Sequence, residues 1–299
     1  MMKLIKKYRN FLLIVFVILL LIHFVLKDNF PLISTVFYST PLITIIFYGI
    51  VLCFIFCRKR KLVLLLSTLL TLLTFYFFNN YYFSNKASIE NTTSLVFWNV
   101  AKKEHFPIEI ISNIIHEHNP NILSFVEAVD VSNEDLNTLN KLHSEFEFKV
   151  LEGNMLVGVK GSIIETNYLS KSDNYRFNFI KALVKNKEFS ILMTDLYASP
   201  LKNKTEAFEQ IALYNKTHSF DFILGDFNTP YESIHFKQLK NSFTSFHSKN
   251  NGFTATWPFG IPLLELDQIW ISKKFNPIKL NKHYFQNSSD HALLVASYQ

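Results

Sequence analysis

Hydropathy divides the chain in two. The first 84 residues are dominated by three apolar runs, Phe11–Leu26, Pro41–Cys57 and Leu62–Phe78, and none of them contains Lys, Arg, Asp or Glu. Each is about 16–18 residues long, near the lower limit of a bilayer span at about 1.5 Å rise per residue. The second can extend back towards Pro31, because Ser34, Thr35 and Ser39 are uncharged. Buried core helices of a water-soluble protein normally keep a polar face, and three such runs in succession have none. The pattern predicts a membrane anchor of three transmembrane helices over residues 1–84.

From about Ser94 the apolar runs become short and are broken by turn residues. Asn85–Thr93 is polar and reads as a linker, leaving 94–299 as one further domain. Strands are predicted at Ser94–Val100, Asn121–Val126, Phe148–Leu151, Met155–Val159, Ile163–Tyr168, Phe220–Leu224, Gln268–Ser272 and Leu293–Tyr298, with a hairpin from Phe179–Lys185 to Phe189–Leu196 about Asn186-Lys187. Helices are predicted at Pro107–His118, where Ile110, Ile111, Ile114 and Ile115 share a face, at Glu134–Phe146 and at Lys204–Thr217. Strands outnumber helices and several connections are hairpin-like. The expected class is α/β (α+β): a four-layer sandwich of two mixed β-sheets flanked by helices.

Charge refines this division. Nine of the 30 basic residues and one of the 24 acidic ones lie in residues 1–84, leaving 21 basic against 23 acidic groups beyond them. The overall +6 therefore belongs to the anchor, and the outer domain, with Arg176 as its sole arginine, has no bulk positive charge for duplex nucleic acid. Lys3, Lys6, Lys7 and Arg9 precede the first run and Arg58-Lys59-Arg60-Lys61 separate the second from the third, whereas Lys27 stands beside Asp28 in the other loop. Positive loops stay in the cytoplasm, so the N-terminus is expected inside and everything after about Phe78 outside, with Tyr81-Tyr82-Phe83 as an interfacial aromatic belt. The first run lacks a small-x-small cleavage site after Leu26 and reads as an uncleaved anchor. The two cysteines, Cys53 and Cys57, lie in the second run and give the outer domain neither disulfide nor thiol chemistry.

Five polar motifs end or begin apolar strands: Phe97-Trp98-Asn99-Val100, Ile122-Leu123-Ser124-Phe125-Val126-Glu127, Leu224-Gly225-Asp226-Phe227-Asn228, Leu266-Asp267-Gln268-Ile269 and Ser289-Asp290-His291. Taken singly each has a plain structural explanation. Glu127 suits a helix N-terminus, Asn99 a turn, and Asp226 and Asn228 an Asx turn before Thr229-Pro230. A carboxylate at the end of an apolar strand costs several kcal/mol to desolvate without a partner, and a hard cation is such a partner. Asp226 and Asn228, two apart in extended chain, face the same way. A histidine held by a carboxylate keeps one tautomer and stays basic.

In this order the motifs resemble the endonuclease/exonuclease/phosphatase superfamily, from about Ser94 to the C-terminus. The resemblance implies metal-dependent cleavage of phosphate esters. It implies Glu127 as the principal ligand of Mg²⁺ or Mn²⁺, with Asn99 on the metal or its water and Asp290 near them. It implies Asp226 on the attacking water, Asn228 on the phosphate, and an Asp267–His291 pair whose imidazole touches the scissile phosphate or takes the proton. Gly252–Pro258 and Leu263–Asp267 are similar to the loop before the last catalytic Asp in membrane-anchored bacterial members, which makes Trp257 a groove residue as well as a candidate core or rim aromatic.

Two positions depart from the family. Ala101 stands where some members carry an acid. Met193-Thr194-Asp195-Leu196 has Asp195 where many have a phosphate-contacting histidine, and a second negative charge beside phosphate is unfavourable unless it is protonated or binds metal. Tyr197 or the Ala198-Ser199-Pro200 loop could supply a donor instead. The implied function is a divalent-metal-dependent phosphoesterase outside the cytoplasmic membrane, anchored in the lipid bilayer. Nucleic acid, a phospholipid head group and a small phosphoester are all open as substrates, and no protein partner is inferable. Lys102, Lys103 and Lys202 are candidates for a local groove for nucleic acid and, more simply, ordinary surface lysines. The alternative is a catalytically weak binding or sensing module on the same fold, which Asp195 would suit. A DNA-repair nuclease would need a cytoplasmic domain.

Overall fold

The computed structural model describes residues 2–85, 92–101 and 105–299. Most of the expected linker, together with Lys102 and Lys103, lies outside the described residues.

Four helices build the N-terminal part: α1 (Met2–Leu21), which runs on into a wide turn at Ile22–Leu26, α2 (Pro31–Ser39), α3 (Leu42–Ile55) and α4 (Arg60–Tyr81). The segments Tyr8–Leu26 and Arg60–Tyr81 are each long and apolar enough to cross a membrane. The middle segment is bent by 71° between α2 and α3. Pro41 sits at the break, where a residue without an N–H cannot continue the ladder of α2. The helices pack through Phe16, Leu42, Ile45, Leu52, Leu66 and Leu70, and expose Phe47, Leu64, Leu72 and Phe75 on their outer faces.

The rest is a four-layer sandwich of two six-stranded mixed sheets with helices outside. After β1 (Tyr82–Phe83), the first sheet contains β2 (Thr93–Asn99), β3 (Ile122–Val126), β4 (Glu147–Leu151) and β5 (Met155–Val159). The second contains β6 (Ser162–Lys171), β7 (Tyr175–Val184), β8 (Lys187–Leu196), β9 (Phe222–Asp226), β10 (Phe243–Ser245) and, past the short β11 (Gly252–Phe253), β12 (Asp267–Ser272). The chain then returns to the first sheet as β13 (Pro277–His283) and β14 (Leu293–Tyr298). The strand orders are β13-β14-β2-β3-β5-β4 and β10-β12-β9-β8-β7-β6, parallel at β2/β3 and at β8/β9.

Alternation along the strands makes three apolar layers. Leu95 and Phe97 face Ile191, Met193, Phe222 and Leu224 between the sheets. Val96 and Trp98 face outwards onto helices α5 (Ile108–His118) and α6 (Asn133–Leu142), while Ile223 and Trp270 pack under α7 (Thr205–His218).

Two local expectations shift. The helix expected over Glu134–Phe146 starts at a capping box between Ser132 and Asp135 and stops at Leu142. A turn closed by Phe146 N–H donating to His143 O (2.9 Å) then brings Phe146 and Phe148 into the outer core. The β7–β8 hairpin turns at Lys185-Asn186, both with positive φ (50° and 62°), rather than about Asn186-Lys187. Tyr82 and Phe83, part of the expected interfacial belt, also pair with Phe253 and Gly252 and tie the end of α4 to the sandwich.

Candidate active site

Sheet register lines up the polar residues before any side chain is considered. Arg176 on β7 pairs with Asp195 on β8, Asp195 with Asp226 on β9, and Asp226 with Asp267 on β12. At about 4.8 Å between strands, this puts one cation and three carboxylates in a row along the end of the second sheet. From the first sheet, Asn99 at the end of β2 donates through Nδ2 to Asp226 Oδ2 (3.0 Å), bridging the two sheets. Gly225 precedes Asp226 because a Cβ there would lie 1.9 Å from the Thr194 carbonyl of the parallel neighbour.

His291 completes the cluster from the turn before β14. Its Nδ1 lies 2.8 Å from Asp267 Oδ2, and its Nε2 lies 3.9 Å from Asp226 Oδ2. The turn is fixed by Ser289, whose Oγ donates to Asn99 O (2.7 Å) and accepts from His291 N–H (2.9 Å). Thr256 Oγ1 accepts from the Leu266 and Asp267 amides (3.1 Å each) and sets where β12 begins. Among the described residues Asp226, Asp267 and His291 form one group able to hold a metal ion, with ligand atoms within 4.8 Å of one another. Asp267 Oδ1 is buried and has no hydrogen-bond partner.

The remaining expected residues surround this cluster. Asn228, with φ 45°, donates its backbone N–H to Asp226 Oδ1 (2.8 Å) and its side-chain Nδ2 to Leu196 O (2.7 Å). Asn99 Oδ1 accepts from Ala101 N–H (2.8 Å). Glu127 follows β3 in the left-handed region (φ 56°), a conformation costing about 1–3 kcal/mol in a residue with a side chain. It lines a cleft of about 280 Å³ with Asp195, Asn228, Tyr197 and Arg176. Asp290 is exposed, accepts from Trp257 Nε1 (2.9 Å), and its Oδ1 is 4.0 Å from His291 Nε2. Trp257 is thus at the rim rather than in the core.

Two functional candidates escaped the motifs. Arg176 Nη1 donates to Asp195 Oδ2 (3.0 Å), so the charge that departs from the family pattern is neutralised by the sole arginine after residue 84. That singularity was the available signal. Lys204 is buried behind the site and donates to Tyr197 O. Nothing in its sequence surroundings marks it.

Crowding sets the electrostatics. Burial, then the neighbouring Asp267 carboxylate, pushes Asp226 up to about 7 against the pull of His291. Burial acts to lower His291, but the charge and hydrogen bond of Asp267, aided by Asp226 and Asp290, raise it to about 10. Burial brings Lys204 down to about 8, opposed by Asp226 and Asp195.

The N-terminal helices touch the loops that flank this site. Asp28, buried in the loop between α1 and α2, accepts from Ser233 Oγ (2.5 Å), Ile234 N–H (3.1 Å) and Tyr38 Oη (3.0 Å). Lys27 Nζ donates to Glu232 O (2.8 Å). Together they clasp the segment that follows Asn228. At the end of α4, His247 Nε2 lies 2.9 Å from Asn80 O, and Thr254 N–H donates to Tyr81 O (2.9 Å).

The model of the endonuclease/exonuclease/phosphatase family matches residues 96–291, and the chain belongs to that family. Its members are commonly metal-dependent phosphoesterases. Among solved structures, D. rerio TDP2 complexed with single strand DNA product is 11% identical with a TM-score of 0.54, over 70% of this chain and 100% of that one. An endonuclease/exonuclease/phosphatase family protein from Bacteroides thetaiotaomicron is 12% identical (TM-score 0.54, 70% and 97% covered), and one from Leptotrichia buccalis 14% identical (0.54, 69% and 99%). At such identities the likeness establishes the shared fold. No curated protein matches the sequence.

Proposed function

We propose that this protein is a divalent-metal-dependent phosphoesterase of the phosphodiesterase or nuclease type. In this reading it is held in the cytoplasmic membrane by its N-terminal helices and acts on phosphate esters on the extracytoplasmic side. The observation that carries it is Asp226, held between Asn99 and Asn228 and facing the His291–Asp267 pair.

The donor set suits a hard cation. Asp226 and Asp267 offer carboxylate oxygens beside His291, Asp267 Oδ1 is buried without a hydrogen bond, and Glu127 adds a further carboxylate in the neighbouring cleft. Glu127 and Asn99 would hold Mg²⁺ or Mn²⁺, with Asp290 towards its waters. A bound cation supplies charge neutralisation at the phosphate and at the leaving oxygen. Asp226 orients the attacking water and takes its proton, a task suited to a group near neutrality. His291, kept cationic by Asp267, donates from Nε2 to a phosphate oxygen. Asn228 and Arg176 bind the remaining phosphate oxygens, and Arg176 with Asp195 supplies the donor that a histidine gives in other members. Tyr197 walls the cleft, and Trp257 stands at the rim beside Asp290 and His291. The Arg176–Asp195 pair removes the charge argument for a purely binding module.

The topology reading draws support from the clasp. The Lys27–Asp28 loop and the end of α4 both touch the sandwich, as expected if they share its side of the membrane and Arg58–Lys61 lies on the other. Hydrolysis of an aryl phosphodiester by the full chain in detergent should require Mg²⁺ or Mn²⁺, stop with EDTA, and be lost in Glu127→Gln and His291→Ala. A folded protein without metal-dependent turnover of any phosphoester would sink this function, and a C-terminal reporter that is active in the cytoplasm would sink the orientation.

A further inference from the structure

A second set of metal-binding side chains lies on the outer face of the first sheet, apart from the layer in which Asn99 meets Asp226. His118 is the last residue of α5 and His283 the last of β13. His283 pairs with Leu293 on β14, whose side chain belongs to the outer apolar layer, and directly paired residues share a face. The two imidazoles meet with Nε2 to Nε2 at 3.2 Å and ring centroids 5.0 Å apart. Each ring is placed by contacts outside the pair. Ser94 Oγ donates to His118 O (2.9 Å). Phe285, whose ring centroid is 5.6 Å from that of Trp98, lies almost parallel to the His283 ring (9°).

Two facing imidazoles can share a hydrogen bond or give their lone pairs to one metal ion. Ring nitrogens bound to a tetrahedral Zn²⁺ at about 2.0–2.1 Å stand about 3.3 Å apart, close to the separation here. The same 3.2 Å is at the long limit of an N–H hydrogen bond. Burial lowers both histidines, with Glu117 acting against it and, at His118, His283 and Lys279 adding to it. The neutral ring, which is the form that ligates, is therefore favoured. Glu117 Oε1 lies 3.5 Å from His118 Nε2, and its side chain is 64% exposed, so it can turn towards the same point. The C-terminal end of α5 carries partial negative charge, which favours a cation at His118 against the opposing charge of Lys279. Imidazoles suit a borderline transition metal, whereas the carboxylates of the Asp226 cluster suit a hard one.

We propose that His118 and His283, together with Glu117 and water, bind one Zn²⁺ ion that ties the edge strand β13 to the end of α5. β13 is held in its sheet on one side only, by β14, and its register shifts between Pro277 and Lys279. A cross-link at its last residue secures the strand that leads into the Ser289–His291 turn. The site stands independently of the phosphoesterase reading.

The test uses the untagged full chain in detergent, stripped with EDTA and then given Zn²⁺ in the presence of excess Mg²⁺ to fill the carboxylate-rich cluster. One equivalent of Zn²⁺ should stay bound, X-ray absorption at the zinc edge should show two imidazoles on it, and the melting temperature should rise. His118→Gln and His283→Gln should each weaken Zn²⁺ binding about 100-fold or more, beyond the cost of losing an outer-shell partner, and should abolish that rise. His291→Ala should keep the zinc. Glu117→Gln, an exposed change that leaves the fold alone, should weaken binding about tenfold, and with the absorption spectrum of the parent it decides the matter even if a histidine variant is unstable. Zn²⁺ carrying a single imidazole, or held equally by both histidine variants, would put the ion elsewhere and overturn the proposal. A folded protein that retains no Zn²⁺ would also overturn it and leave the pair as a hydrogen bond between two rings.

Discussion

Two buried carboxylate sites in this molecule are handled in opposite ways. Asp28, at the N-terminal end, receives a serine hydroxyl, a tyrosine hydroxyl and a backbone N–H, and both of its oxygens are occupied. At the other site Asp226 and Asp267 are adjacent in register, Asp267 keeps one oxygen without a partner, and Asp226 is pushed up to about 7 by burial and that neighbour. The first arrangement saturates a charge so that it can stay buried; the second crowds like charges and leaves a lone pair open. A carboxylate placed for structure is satisfied by the protein itself, whereas one placed for chemistry waits for something to arrive.

The comparison is sharpest for Asp226→Asn. An amide keeps the shape but cannot take a proton, so turnover should fall by about 10³-fold, while relief from the Asp267 charge offsets the acceptor that Asn99 loses and the melting temperature changes little. A matching loss of stability would make Asp226 a second Asp28. Asp28→Ala should do the reverse at the start. It strands the Ser233, Tyr38 and Ile234 donors and should cost about 3 kcal/mol, seen in thermal unfolding of the full chain, with activity declining only as the Thr229–His235 segment loosens. For the same reason residues 86–299 alone should be less stable than the full chain.

Arg176→Lys comes next. A point charge cannot serve Asp195 and a phosphate with a planar fork, so kcat/KM should drop about tenfold and KM should carry most of it; an unchanged KM would confine Arg176 to pairing with Asp195. The smallest effect belongs to His247. Burial acts to lower it, but the charge and hydrogen bond of Glu265 (2.7 Å) outweigh burial and raise it. A folded-state value above the unfolded one contributes stability that is complete below about pH 6.5 and lost as pH rises through the folded value. The part of the stability owed to His247 should therefore be lost as pH rises above about 6.5, and His247→Gln should make the decline in melting temperature shallower. An identical slope in the variant would move the pH sensitivity elsewhere.

Most of the sandwich was legible from period and punctuation. Met155–Val159 and Leu293–Tyr298 form the expected strands, and the others differ mainly at their ends. β13 was missed because Pro277–His283 carries two lysines and an asparagine on a partly exposed edge strand and so lacks an apolar signal. The site candidates were legible as types at strand ends, because a polar group ending an apolar run is visible locally. Their partnership was not, since Asn99 and Asp226 are 127 positions apart and meet across two sheets.

The apolar helices, the alternating strands and the family were all readable along the chain, because each rests on neighbours within a few residues or on an ordered set of short motifs. That Arg176 neutralises Asp195, that Lys204 lies near Asp195 and Asp226, and that a loop of the N-terminal helices clasps the segment after Asn228 emerged with the folded chain. Those contacts depend on strand register and on packing between distant segments, and a linear pattern encodes neither until the chain has closed on itself.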